Sequence, residues 1–128
     1  MNAAAAGKTY PEATFVVDPP HVEAFRAVFG DREGVPPTFA TAAEFEVIPT
    51  IVDDPELALD FTRVLHRDQE YSFARPLRVG ETLTIRPRIE SIRELGGNAF
   101  LVIATDLVDD AGEVVCAARA TMIERAPG

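Results

Sequence analysis

A single cysteine, Cys116, stands in the 128 residues, so no disulfide can close within the chain. Histidine is nearly as scarce, with only His21 and His66 present. They are far apart in sequence and have no cluster of further ligands beside them, which falls short of the usual spacing of a metal site. No apolar run approaches the roughly 18 residues that a membrane-crossing helix needs. The opening stretch, MNAAAAGKTYPEA, lacks a charged segment followed by an apolar one and does not read as a secretory signal. A lone thiol without an export signal points to the reducing cytoplasm. Positive charge is short too: 12 Lys and Arg face 21 Asp and Glu, a formal net charge of -9. That balance argues against nucleic acid and anionic membrane as partners, since both want a basic surface.

What remains is an ordinary globular composition, 47% hydrophobic and 26% charged. A chain of this length forms one domain and buries roughly two-thirds of its unfolded surface. Charge is unevenly spread. Residues 63–93 hold seven arginines against four acids, so this stretch is net +3 and the rest of the chain is net -12. Such a stretch reads either as solvated strand faces or as an Arg-rich edge that meets phosphates or an acidic carrier protein.

Residues 1–8 read as a flexible tail and 9–128 as a single domain. Asp18 before Pro19 predicts a helix over 19–29, with Val22, Phe25, Val28 and Phe29 at helical spacing and Gly30 as its stop. Residues 30–38 read as a loop. A short helix follows at 40–48, closed by Pro49, and another at 55–61 would bury Leu57, Leu59 and Phe61. From there the period changes. Strands are predicted over 64–74, 81–94, 98–108 and 113–124, joined by turns at Pro76–Gly80, Gly96-Gly97-Asn98 and Asp109–Gly112. Pro87 argues for an edge or a bulge, and Ile92 falls out of phase with Ile89, which also marks a bulge. The pattern is helices first, then about four long antiparallel strands, an α+β class in which the sheet curls over the apolar helices.

Several stretches resemble one family. They are His66 to Phe73 followed by Arg75-Pro76-Leu77 and Gly80-Glu81, then Arg93-Glu94 with Gly97-Asn98. Upstream lie Phe25 with Gly30-Asp31, and Pro36-Pro37-Thr38-Phe39-Ala40. Together they make residues 9–125 similar to the MaoC-like hot-dog family, and within it to the N-terminal or non-catalytic (3R)-hydroxyacyl-thioester dehydratase modules of fatty-acid-type synthesis. The resemblance implies a helix wrapped by an antiparallel sheet, an acyl-CoA or acyl carrier protein thioester as ligand, no cofactor, and assembly as a homodimer or with a catalytic hot-dog subunit.

Active members of that family resemble one another in an Asp-x-Asn-Pro-x-His motif. The chemistry explains the pair: one group removes an acidic α-proton while another protonates the leaving hydroxyl. Backbone N–H groups at the start of the central helix would hold the thioester oxygen as it gains charge. Here Asp31 stands where the motif would begin, yet Arg-Glu-Gly-Val-Pro-Pro follows, and no histidine occurs between Asp31 and His66. The resemblance therefore implies a chain without its own dyad, a subunit that works only beside a catalytic partner. Three alternatives stay open. They are a self-sufficient homodimeric enoyl-thioester hydratase using Asp31 and His66, an acyl-CoA thioesterase using Glu44, and a ligand-binding hot-dog without chemistry.

Individual residues carry two readings each. Phe39, Thr41 and Phe45 lie at the entry to the central helix, where by resemblance the acyl chain passes; otherwise they pack the core. His66 and Asp68 stand two apart on a strand and so share a face with Glu70 and Ser72, as a hydrogen-bond network or as substrate contacts. Glu44 sits oddly in a helix that should be buried, and Arg63 or Arg67 would pair with it. Asp18 with His21 reads as a helix cap beside an exposed histidine, and Cys116 as a buried, inert thiol.

Overall fold

The computed structural model describes residues 1–29 and 34–127. Five antiparallel strands form one sheet: β1 (Ala13–Val16), β2 (Val64–Phe73), β3 (Thr82–Leu95), β4 (Asn98–Val108) and β5 (Val114–Glu124), in the order β1-β3-β4-β5-β2. Two α-helices precede the long strands, α1 (Pro19–Phe29) and α2 (Thr41–Val52). The last three strands form a meander, as their turn residues predict, with Gly96, Gly97 and Gly112 at positive φ where the chain reverses. The central strand β4 is apolar and buried at Leu101, Ile103 and Leu107.

The helix α2 joins two core clusters. Its N-cap Ala40 and its residues Ala43 and Val47 recur on one face and pack with Phe39, Leu83, Ile85, Leu107 and Cys116. One turn on, Ile51 packs with Leu57, Ile89, Leu101, Ile103 and Met122. The spacing 40, 43, 47, 51 is that of a helix stripe pressed on a sheet. It makes α2 the enclosed helix of an α+β hot-dog.

Some details depart from the sequence pattern. Pro49 does not end α2; the helix runs to Val52, and the Asp53 N–H bonds the Pro49 carbonyl at 3.0 Å. Proline costs the helix one bond at its own N–H, but burial of Val47 and Ile51 on either side holds the turn. Residues 55–61 are no helix. They form a turn with Ala58 at φ 55°, then a short 3-10 turn at Phe61–Arg63. Leu57 is buried there, while Phe61 is exposed. On α1, Val22 is buried and Val28 is exposed; the predicted stop at Gly30 lies outside the described residues.

Residues 1–8, expected to trail freely, are tied down. Asn2 N–H bonds the Leu57 carbonyl, Gly7 N–H bonds the Ile89 carbonyl, and Ala5 is buried in the second cluster. Lys8 and Tyr10 both reach Asp54 Oδ2 at 2.7 Å. The same segment covers the edge of β3 where Pro87 interrupts it: Tyr10 N–H bonds the Pro87 carbonyl. β1 continues that cover, pairing Ala13 to Val16 with Ile85 to Thr82, and is a strand the sequence pattern did not announce. The predicted bulge in β3 is present between Ile89 and Ser91.

The fold makes a direct prediction. Ile103→Ala, in the middle of β4 beneath α2, destabilises the chain by roughly 2–5 kcal/mol in chemical denaturation. Leu95→Ala, at the exposed end of β3, changes stability by less than about 0.5 kcal/mol.

Candidate functional site

A second stripe of α2 lies beside the core-facing one. Thr41, Glu44, Phe45 and Ile48, spaced three and four apart, line a cavity of about 370 Å³. Gln69, His66 and Val64 from β2, Met122 from β5, and Phe61 complete its wall. The cavity is graded along the helix. Thr41, Glu44 and Gln69 make its polar end, and Ile48, Phe61, Val64 and Met122 its apolar end. Phe45 and Phe61 are large apolar side chains left 69% and 62% exposed at its rim. Aromatic rings so exposed around a concave, mostly apolar surface mark a place built to be covered.

The polar end is organised by Glu44, which is only 2% exposed. Tyr71 donates its hydroxyl hydrogen to Glu44 Oε1 at 2.6 Å, and Gln69 Nε2 donates to Oε2 at 2.8 Å. Thr41 Oγ1 lies 2.6 Å from the Tyr71 hydroxyl and supplies the donor on that side, since the single tyrosine hydrogen goes to Glu44. Gln69 spends its other Nε2 hydrogen on the Arg119 carbonyl, 3.2 Å away. Burial pushes the Glu44 carboxyl above the ordinary carboxylate range, while the Tyr71 and Gln69 donors and the charge of nearby His66 pull the other way. Burial and the Glu44 acceptor also push the Tyr71 phenol up.

The partners of Glu44 are thus Tyr71 and Gln69 and not the arginines expected. Arg63 reaches Asp60 and the Arg125 carbonyl, and Arg67 reaches Asp68. Other arginines of the basic stretch are likewise occupied within the chain: Arg75 with Glu81, Arg86 with Glu12, Arg88 with Asp106. Their positive charge is largely cancelled where it stands.

The structure divides the sequence candidates. Thr41, Phe45 and His66 line the cavity together. Phe39 does not; it is fully buried in the first core cluster, ringed by Phe15, Phe25 and the edge of His21. Asp68 is exposed beside Arg67. The shared face expected of His66 and Asp68 is broken by a bulge, because β2 skips Arg67 in its register with β5. One extra residue reverses the alternation, so His66 joins Gln69 at the cavity and Asp68 turns to the other face. Asp31 lies outside the described residues. His66 Nε2 is 3.1 Å from the Asp68 carbonyl, which can only accept, so Nε2 carries the hydrogen. Among the described residues neither histidine contacts a carboxylate. Cys116 is buried, and that burial pushes its thiol up to about 12. Gln69 and Tyr71 were missed in the sequence, although their alternate positions on one strand, together with an acid, Glu44, on the face of a helix expected to be buried, were the available signal.

Residues 8–118 match the family described as FAS1-like, dehydratase domain region. The chain belongs to this MaoC-like dehydratase family. A UPF0336 protein of Streptomyces griseus subsp. griseus is 38% identical over 124 residues, covering 97% of this chain and 79% of that protein. Another, from Streptomyces coelicolor, is 42% identical over 91 residues, which is 71% of this chain but 61% of the relative's length. The fold is that of a C-terminally truncated HadBC (3R-hydroxyacyl-ACP dehydratase) complex from Mycobacterium tuberculosis, with a TM-score of 0.78 at 22% identity, covering 93% of this MaoC-like chain and 96% of the compared one. In this MaoC-like chain the polar end of the cavity is a single buried carboxyl, Glu44, held by Tyr71 and Gln69.

A pH test follows from the raised Glu44 pKa. A carboxyl whose folded pKa exceeds its unfolded value opposes folding once ionised; the penalty is absent below about pH 4 and complete above the folded pKa. Glu44→Gln should therefore gain thermal stability relative to the parent as pH rises from about 4 to 7. Melting curves across that range check it, and a difference that does not change with pH would show an ordinary carboxyl.

Proposed function

We propose that the chain binds fatty-acyl thioesters in the cavity between α2 and β2, and serves as the non-catalytic subunit of a (3R)-hydroxyacyl-thioester dehydratase. The observation that carries this reading is the graded cavity, an apolar slot rimmed by exposed Phe45 and Phe61 that ends at hydrogen-bonding groups beside the first turn of α2. An acyl tail matches the slot, and a thioester or its substituents match the polar end. Incompleteness of the acid–base machinery supports the subunit role. His66 is turned to a backbone carbonyl, and the sequence after Asp31 departs from the family motif.

A partner has a place to dock. β2 is the outer strand of the sheet, its far side open along ten residues among the described ones. Unpaired backbone groups on such an edge are a template for another strand. A second hot-dog protein joined there would stand next to the cavity rim and cover Phe61 and Leu65, both exposed in the single chain. Acyl thioesters occur in the cytoplasm, where the lone buried thiol also belongs.

One observation favours a second reading, thioester hydrolysis: Glu44 forms part of the cavity wall. Its two oxygens accept from Tyr71 and Gln69 and each keeps one lone pair for a further donor, so thiol release is the readout that separates this reading from the first.

The test is enoyl-thioester hydration. The purified chain alone leaves crotonyl-CoA unchanged and releases no thiol from acyl-CoA, and activity appears when it is mixed with a hot-dog protein carrying Asp-x-Asn-Pro-x-His. Hydration by the chain alone would overturn the subunit role, and thiol release lost in Glu44→Gln would establish the second reading. Phe61→Ala, at an exposed site, leaves stability within about 0.5 kcal/mol but weakens acyl-CoA binding by roughly tenfold, read by calorimetry.

A further inference from the structure

The hydrogens at the polar end of the cavity are all committed. Tyr71 gives its one hydrogen to Glu44, Thr41 gives its own to Tyr71, and Gln69 divides its two between Glu44 and the Arg119 carbonyl. His66, beside this end, spends its Nε2 hydrogen on the Asp68 carbonyl. What these groups have left is acceptor capacity. Each Glu44 oxygen has accepted one hydrogen bond and keeps a lone pair, the Gln69 amide keeps its oxygen, and Thr41 keeps its hydroxyl lone pairs. A wall that can only accept is complementary to a donor. A saturated or unsaturated hydrocarbon pressed against it would strip water from a buried carboxylate and return nothing.

We propose that Glu44, held in place by Tyr71 and Gln69, is the residue that selects a hydroxyl-bearing acyl chain, by accepting a hydrogen bond from its hydroxyl. This rests on the acyl-thioester reading of the cavity and adds to it a direction. The cavity holds the hydroxylated form of a substrate and lets the dehydrated form go, since removing water removes the only donor. Tyr71 and Gln69 are positioning residues in this scheme; their donors fix the carboxylate and occupy the lone pairs that face away from the ligand. Ile48 follows Glu44 by one turn of α2, so an acyl tail can occupy Ile48, Phe61, Val64 and Met122 while its hydroxyl reaches Glu44.

The experiment compares three ten-carbon ligands with the full chain by calorimetry: 3-hydroxydecanoyl-CoA, trans-2-decenoyl-CoA and decanoyl-CoA. The hydroxylated thioester should bind at least about tenfold tighter than the other two, which should resemble each other. Glu44→Gln, which exchanges one acceptor for a donor, should bring the ratio to within about twofold while all three still bind. Should that variant fail to fold, Glu44→Leu replaces a buried charge by a side chain of similar volume, a change buried charges often tolerate, and should abolish or invert the preference. Equal binding of the three ligands to the unaltered chain, or a tenfold preference that survives both substitutions, overturns the assignment and leaves the acyl-thioester reading intact. Binding of none of them overturns both.

Discussion

The structure depends on how α2 lies against the inner face of the sheet. One stripe of the helix is apolar and joins both core clusters through Ala43, Val47 and Ile51. The adjacent stripe, Thr41, Glu44, Phe45 and Ile48, borders the cavity, with Glu44 buried and Phe45 left exposed. The cavity is the gap between this second stripe and the outer strand β2, bridged by side chains at one end only. There Glu44 ties the helix to Tyr71 and Gln69. Helix position, cavity shape and the chemistry of its polar end are thus set by the same contact.

A buried carboxylate is an expensive way to fix a helix. Desolvation penalises the ion by several kcal/mol, and packed hydrocarbon of similar volume commonly does as well or better. The sheet shows the cheaper solution nearby, where Leu83, Ile85 and Leu107 hold the other stripe of α2 with no polar group at all. The neutral hydrogen bonds from Tyr71 and Gln69 compensate part of the cost and fix the carboxylate in one orientation. An acid retained at a cavity wall, at a cost the fold does not need, is better explained by what enters the cavity than by what holds the helix.

Much of the fold was legible because it follows from local periodicity. The four long strands, their turns, the bulge after Ile89 and the first helix are each specified by residues within a turn or two of one another. The features that escaped are those decided by distant partners. β1 is four residues long and is a strand only because β3 offers an edge beside it. Residues 1–8 look unstructured by composition and are ordered by carbonyls of Leu57 and Ile89 far along the chain. Pro49 should stop a helix, and does not, because the following turn carries Ile51 into the core. The candidate site was read at the level of its wall, where Thr41, Phe45 and His66 were named, but not at the level of its polar contacts. Those required knowing that α2 and β2 face each other, which two separate periodicities cannot supply.

The bulge at Arg67 shows how small a change separates the two readings of β2. Without it, strict alternation would place His66 beside Asp68, an imidazole and a carboxylate on one face, the elements of an acid–base pair. With it, the pair is split across the sheet: His66 turns toward the cavity and bonds a carbonyl, while Asp68 meets solvent and Arg67. The bulge also leaves Arg67 extended over the Phe100 ring, 5.7 Å from its centre, a contact that holds the extra residue on the outer face and gives the irregular register an anchor of its own. The bulge thus turns His66 to the cavity wall that Glu44 also lines and takes Asp68 away from it.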